Sequence, residues 1–444
     1  MFDVGISGAV ILSGHNGYEP FIGSVGITGS RFAYVGPGTI EKKQCREWID
    51  ADRRILMPGL VNGHCYGDMT LARGLGDDLT LWEQNEAFAD HNWFKDMIRD
   101  EDRYYSRQLT YCEALLSGTT FIMENMYWGL GADSVKAMAE TGIRGALAED
   151  IRKDFGTAGN LLTDEELTDF ITQCVSGDKI PVIGSISEED YDLSLLRKIE
   201  EKRQQHNTQM TCHLAENVWR REMVYSKYQT TPVSYLYENG FLGDHLLGSH
   251  VVYVSKEEIG YLAETGTQVV NTPLCEMKIA DGIAPIPEMV RAGVNVCLGT
   301  DGAMWNNSND IFREMKGMSL LHTINSGIRS LSKADILNMA TVNGARAFGR
   351  EQDYGTITVG KKADFILIRT QVPHMSPLRL GKYENVTSHV IYNATGNDVT
   401  DVFIDGVRVV RDQQIQTVDT ADIMSKVQAS SDKIVKELAN NISK

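Results

Sequence analysis

"PGLVNGHCYGD", residues 58–68, is the stretch that decides the fold. A Pro-Gly pair opens it, a short apolar segment follows, and the segment stops at His64 before a glycine-containing loop. Continuous apolar character bounded by turn residues predicts a strand covered on both faces, as in a parallel sheet. Such strands come in series, and this one does. "ILMPGLVNGH", "GTTFIMEN", "RGALAED", "PVIGSIS", "QMTCHLAE", "LLGSHVVYV", "TQVVNTP" and "VNVCLGTDG" follow one another along the chain, separated by helix-like sequence. Eight βα units predict an α/β fold, a closed (β/α)8 TIM-like barrel over residues 58–350, with its chemistry at the C-terminal strand ends.

The two ends of the chain read differently. Residues 1–57 carry short apolar segments separated by turns, and 351–419 repeat that texture, with Asp405-Gly406 as a hairpin signal. They predict antiparallel strands that pair into one small β-sandwich domain built from both termini. Residues 420–444 predict a closing amphipathic helix.

Composition narrows the function. The 444 residues suit one large domain plus a smaller one. A net charge of −17 argues against nucleic acid and anionic membrane as partners. It does not select a substrate, and the small-molecule substrate expected here comes from the site residues below. No apolar run reaches the ~18 residues of a membrane span. The start, "MFDVGISGAVILSGHNG", lacks a basic region and does not read as a signal peptide, so a cytoplasmic location is expected. The seven cysteines form no CxxC pair and read as small buried hydrophobes.

On this reading polar residues recur at strand ends: His64, then His213 and Glu216 in "TCHLAE", His250 in "GSHVVYV" and Asp301 in "LGTDG". Each alone has a plain structural explanation: a hydrogen-bonded histidine, a helix start, a loop turn. Together they converge on one barrel mouth. Imidazoles plus a carboxylate suit one divalent metal, zinc foremost with iron as the other option. Such an ion lowers the pKa of a bound water, Glu216 is placed to move its proton, and His250 to orient it.

"MPGLVNGH", "MTLARGLGDDLTLWE", "HLAE", "DGIAPIPEMVRAGVNVCLGTDGAMWNNSNDIFREMK", "ATVNGARAFG" and "YGTITVGKKADFILI" together resemble the amidohydrolase superfamily, from Val4 to about Val410. The resemblance is to its aminohydrolase branch of cytosine and guanine deaminases, triazine hydrolases and, nearest in look, methylthioadenosine/S-adenosylhomocysteine deaminases. It implies His64, His213 and Asp301 as metal ligands. Glu216 and His250 would transfer protons and orient water, with Glu83 and Arg144 as substrate contacts. It also implies a homo-oligomer, a dimer or tetramer.

Three departures stand out. Tyr66 replaces the second histidine of a His-x-His motif. "VIGSISEED" (182–190) stands where a Pro-His segment is usual. "VVNTPLCEMKIADG" puts Asn271 in place of a histidine and Glu276 in place of an asparagine, which makes Glu276 a further substrate-contact candidate. Three options follow for Tyr66: a phenolate ligand, a bystander beside a three-ligand metal, or a phenol bonded to His213 or Asp301 in a site without metal. Asp68, Glu124, Glu276 and Cys275 are the substitute ligands to consider, and Cys65 is expected in the barrel wall. The functional readings are a metal-dependent hydrolase of a C–N bond in a nitrogen heterocycle, a hydrolase of a cyclic amide, guanidine-like group or halogenated ring, and a metal-free binding protein.

Overall fold

The computed structural model describes residues 1–89, 98–126, 131–151 and 161–442. Eight parallel strands run in sequence order: Leu60–Cys65, Thr119–Asn125, Arg144–Asp150, Ile180–Ile186, Gln209–Leu214, Leu246–His250, Gln268–Asn271 and Val296–Leu298. All eight coincide with the apolar segments read from the sequence. Their fully buried faces explain why those segments show no alternation.

The last strand meets the first where the chemistry is expected. The backbone amides of Thr300 and Asp301 both donate to the His64 carbonyl, at 3.1 and 2.9 Å. Asn62 joins the same seam, accepting from the Thr300 amide at 3.1 Å and facing Thr300 Oγ1 at 2.7 Å. Gly299 permits the approach, because a Cβ there would lie 2.8 Å from that of His64. Closure of the barrel and placement of His64 beside Asp301 are thus one event.

The terminal segments pair into one hydrogen-bonded sheet of nine strands. Phe2–Ile11 pairs antiparallel with Phe21–Thr28 but parallel with Cys45–Asp50 and Ile55–Pro58, a correction to the all-antiparallel expectation. Phe365–Ile368 lies antiparallel to Ile55–Pro58 and joins the two ends of the chain. Asp405 and Gly406 turn the hairpin between Val399–Ile404 and Val407–Arg411, both with positive φ (52° and 74°). The run "ILMPGLVNGH" is two strands, divided at Gly59: the first belongs to this sheet, the second to the barrel.

Thr420–Ile442 is helical, and it packs on the helix Asp100–Leu116 through Ser430, whose hydroxyl donates to Asp102 at 2.5 Å. Residues 443 and 444 of the expected helix lie outside the described residues. Among the described residues no helix is long and apolar enough to cross a membrane. All seven cysteines are free thiols; six are buried, and Cys65 sits in the main core as expected.

Candidate metal and active site

Strand ends carry the site. His250 closes its strand with φ 73°, Ala215 of "HLAE" has φ 51°, and Asp301 has φ 64°. Left-handed backbone at non-glycine residues costs roughly 1–3 kcal/mol each and persists where surroundings enforce it. Here it turns the chain sharply off the strand, so that side chains from different strands face one point.

The imidazoles of His64, His213 and His250 present ring nitrogens within 4.8 Å of one another. Each Nδ1 is held from outside. His64 Nδ1 lies 2.7 Å from the Asn125 amide and 2.9 Å from Ser249 Oγ. His250 Nδ1 lies 3.0 Å from Thr272 Oγ1, behind which Glu276 stands 3.7 Å away. His213 Nδ1 lies 2.9 Å from Ser187 Oγ and 3.2 Å from the Ile186 carbonyl. A carbonyl only accepts, so His213 carries its proton on Nδ1 and its lone pair on Nε2. Outer partners of this kind fix ring orientation in metal sites.

Asp301 completes the cluster. Its Oδ2 is 3.9 Å from Nε2 of both His64 and His250, and it also accepts from the Cys275 thiol at 3.3 Å. Oδ1 accepts from the Gly302 amide at 2.5 Å. His64 Nε2 and His250 Nε2 are buried without a hydrogen-bond partner. Two atoms bound to one zinc at ~2.0–2.1 Å lie no more than ~4.2 Å apart, so the 3.9 Å spans fit a single ion. Buried polar atoms left unpaired are costly, which makes this donor set a fit for a cation.

Burial holds the His64 and His213 imidazoles well below their ordinary pKa, helped by the neighbouring His250. Burial also pushes His250 down, but Glu276, Asp301 and Asp281 together outweigh it and raise that group. Asp301 is raised by burial, partly offset by His250.

Glu216 stands 3.8 Å from His250 Nε2 and forms an ion pair with Arg220, one helical turn on. Arg220 also reaches Glu189, at 2.9 Å, while Glu188 accepts from the Glu216 amide at 3.2 Å. Sequence reading missed Arg220, although a Glu and an Arg four apart at a helix start is a legible signal. It also missed Ser187, Ser249, Asn125 and Thr272, which meet their histidines only across strands.

Tyr66 takes the third of the options read from sequence as far as its hydrogen bond goes: its hydroxyl is 3.0 Å from His213 Nε2. The other candidates fall into different places. Asp68 and Glu124 both pair with the buried Arg107. Glu276 is buried, where it accepts from Asn271 Nδ2 at 2.7 Å and backs His250. Arg144 corrects most clearly. It opens its strand instead of ending it, so it lies at the opposite end of the barrel, bonded to Asp364 at 2.7 Å and paired with Asp405. Glu83 is exposed at the start of the helix Leu81–Ala89, where it accepts from the Thr80 amide at 2.8 Å. Its neighbour Trp82 stands edge-on to Trp219, in the helix that follows Glu216.

Comparisons agree with this architecture. The model of the amidohydrolase family matches residues 55–409. A 5'-deoxyadenosine deaminase of Methanothermobacter thermautotrophicus is 34% identical over 92% of this chain and 94% of that protein. A 5-methylthioadenosine/S-adenosylhomocysteine deaminase of Syntrophobacter fumaroxidans is 32% identical, covering 95% and 96% of the two chains. Among solved structures, an adenosine deaminase from Xanthomonas campestris with bound zinc superposes with a TM-score of 0.87 at 25% identity, over 98% of this chain and 99% of that one. A family match over most of the chain, with relatives above 30% identical along nearly their whole length, makes this chain a member of the amidohydrolase family.

Proposed function

We propose that this hydrolase of carbon–nitrogen bonds releases ammonia from an aminated nitrogen heterocycle, with the adenine ring of a 5'-modified nucleoside as the first substrate class to test. The observation that carries the reading is the convergence of two unpartnered imidazole nitrogens and Asp301 beside Glu216. The deaminase names of the relatives support the substrate class.

The histidine cluster and Asp301 would hold one divalent ion, zinc foremost, which would supply an acidified water. Glu216 is placed to hold a proton on its carboxylate and pass it to the leaving nitrogen as the C–N bond breaks. Arg220 holds the Glu216 carboxylate in place. Glu276 and Thr272 fix the His250 ring. Glu83 is retained as a contact to the part of the substrate that projects from the mouth. The overall change is addition of water and loss of ammonia, which leaves a ring carbonyl.

Ammonia release by the zinc-supplemented protein, measured across adenosine, 5'-deoxyadenosine, methylthioadenosine, adenosylhomocysteine, guanine and cytosine, tests this. Turnover on one of these, abolished in Glu216→Gln with binding retained, is the expected result; normal kcat in that variant refutes the role of Glu216. A second reading, a non-standard ring substrate, is favoured by the Glu188–Glu189–Arg220 cluster at the altered fourth strand. Activity confined to cyclic amides, guanidine-like or halogenated rings supports it. The proposal extends to a cytoplasmic homo-oligomer, a dimer or tetramer, which light scattering checks as to size.

A further inference from the structure

We propose that this chain binds an oxyanion, a phosphate or carboxylate carried on a small organic molecule, in a cavity at the end of the barrel opposite the metal site, with Lys179 and Arg346 as its anchors. The proposal does not depend on the hydrolase reading.

The cavity has a volume of about 760 Å³. Ile180, Gln209 and Gln268, which line it, each open a barrel strand, whereas the metal site is built at the other ends of those strands. The barrel therefore lies between this cavity and the reacting groups.

Helices end at this face, and a cation at a helix C-terminus is favoured by the helix itself. Arg203 and His206, in the last turn of Leu193–His206, are explained in that way, and Arg203 is further held by Glu200 at 2.7 Å. Lys179 is different. It leads into the strand Ile180–Ile186, and its ammonium donates to the Ile143 carbonyl at 3.1 Å. Among the described residues it pairs with no carboxylate within 4 Å, while burial and the guanidinium of Arg144 push it down to about 8. Arg346 closes only the short helix Val342–Ala347, and its guanidinium is held by amide oxygens, of Asn295 at 3.2 Å and Asn343 at 3.4 Å. Two cations on one cavity, neither bonded to a carboxylate, suit an anion.

Acids line the cavity too, but at its edge. The side chains of Asp178 and Asp244 are 82% and 92% exposed, where water and salt screen them; Glu351 is the third. The rest of the lining has two characters. Ile171, Pro181 and the buried Phe348 are apolar. Thr208, Gln209, His206 and His245 each carry a buried polar atom without a hydrogen-bond partner. Such atoms are few in a folded protein, and four around one cavity favour a polar occupant. Cations, unpaired polar atoms and an apolar stretch together fit an organic anion better than a bare inorganic one.

Isothermal titration calorimetry of the zinc-loaded protein with inorganic phosphate, ribose 5-phosphate and glucuronate tests this. None of the three has an amino group to lose, so turnover does not interfere. Ribose 5-phosphate or glucuronate is expected to bind once per chain and more tightly than inorganic phosphate, and the tighter of the two says which oxyanion the site takes. Lys179→Met and Arg346→Glu each weaken that binding by at least ~10-fold, and Asp301→Asn, at the mouth, leaves it unchanged. Arg346 is exposed, so its variant keeps the test decisive should circular dichroism show Lys179→Met unfolded. No binding of either organic anion by wild type, binding no tighter than that of inorganic phosphate, unchanged affinity in Arg346→Glu, or binding abolished by Asp301→Asn overturns the proposal.

Discussion

Replacing Arg107 by Leu removes the guanidinium to which both Glu124 and Asp68 are bonded in a buried cluster. Arg107 donates from Nε to Glu124 at 2.5 Å and from Nη2 to Asp68 at 3.3 Å, and all three side chains are fully buried. Tyr111 also donates to Glu124. Two charge-assisted hydrogen bonds at roughly 1.5–3 kcal/mol each set the scale, and breaking a buried pair from one side costs about 3–5 kcal/mol. A loss of about 4 kcal/mol is therefore expected near neutral pH. With an unfolding entropy of about 2.1 cal/mol/K per residue, the 444-residue chain unfolding as one unit has about 0.9 kcal/mol/K, so Tm falls by about 4 °C.

The pH dependence identifies the mechanism. Burial, only partly offset by Arg107, already raises Glu124 to about 7, and it raises Asp68 as well. Without Arg107 both carboxyls rise further and bind protons in the folded state that the unfolded chain does not hold. Stability of the variant then falls as pH rises through those raised values, so the deficit is larger at pH 8 than at pH 5.5. Adding Asp68→Asn and Glu124→Gln to Arg107→Leu removes the stranded charges and recovers at least half of the loss. Scanning calorimetry of the three proteins at both pH values is the assay. A Tm drop below about 1 °C, or one that is the same at both pH values, refutes the account.

Three further outcomes are expected. Arg144→Met breaks the bond to Asp364 and the pair with Asp405 that tie the barrel to the terminal sheet, so it lowers stability by about 2–4 kcal/mol while leaving KM unchanged; a raised KM contradicts its place at the far end of the barrel. Gly59→Ala puts a Cβ 2.1 Å from Thr120 Oγ1 at the junction of the two sheets and costs about 3 kcal/mol or more, read as loss of soluble protein or a lowered Tm. His322 is buried with its pKa pushed down to about 4, so its contribution is present above pH 6.5 and is lost as pH falls from there toward 4. That amounts to as much as about 3 kcal/mol, and His322→Leu flattens the urea-midpoint profile in that window.

What was legible in the sequence was whatever depends on a residue and its chain neighbours. Eight apolar runs gave eight barrel strands because a doubly covered strand has no polar face to interrupt it. His64, His213, His250 and Asp301 stood out because a polar residue closing such a run has few other reasons to be there. Arg144 shows the same rule neglected: it opens "RGALAED", while Glu149 and Asp150 close it, so its end of the barrel could be read directly. Glu276 was harder, since only the turn from strand into the helix Pro273–Lys278 brings it back onto Asn271. The division of "ILMPGLVNGH" at Gly59 was not legible at all, because both halves are apolar and only their partners differ.

Tyr66 lies at the limit of such reading. From the sequence it is a missing ligand, and three options stay open because each depends on what the phenol touches. The structure makes it a donor to His213, and the consequence spreads: a ring nitrogen 147 residues away is occupied. A residue at one strand end thus bears on the chemistry available at another. The residues at the mouth are therefore better understood by what each ring nitrogen meets than by which side chains are present.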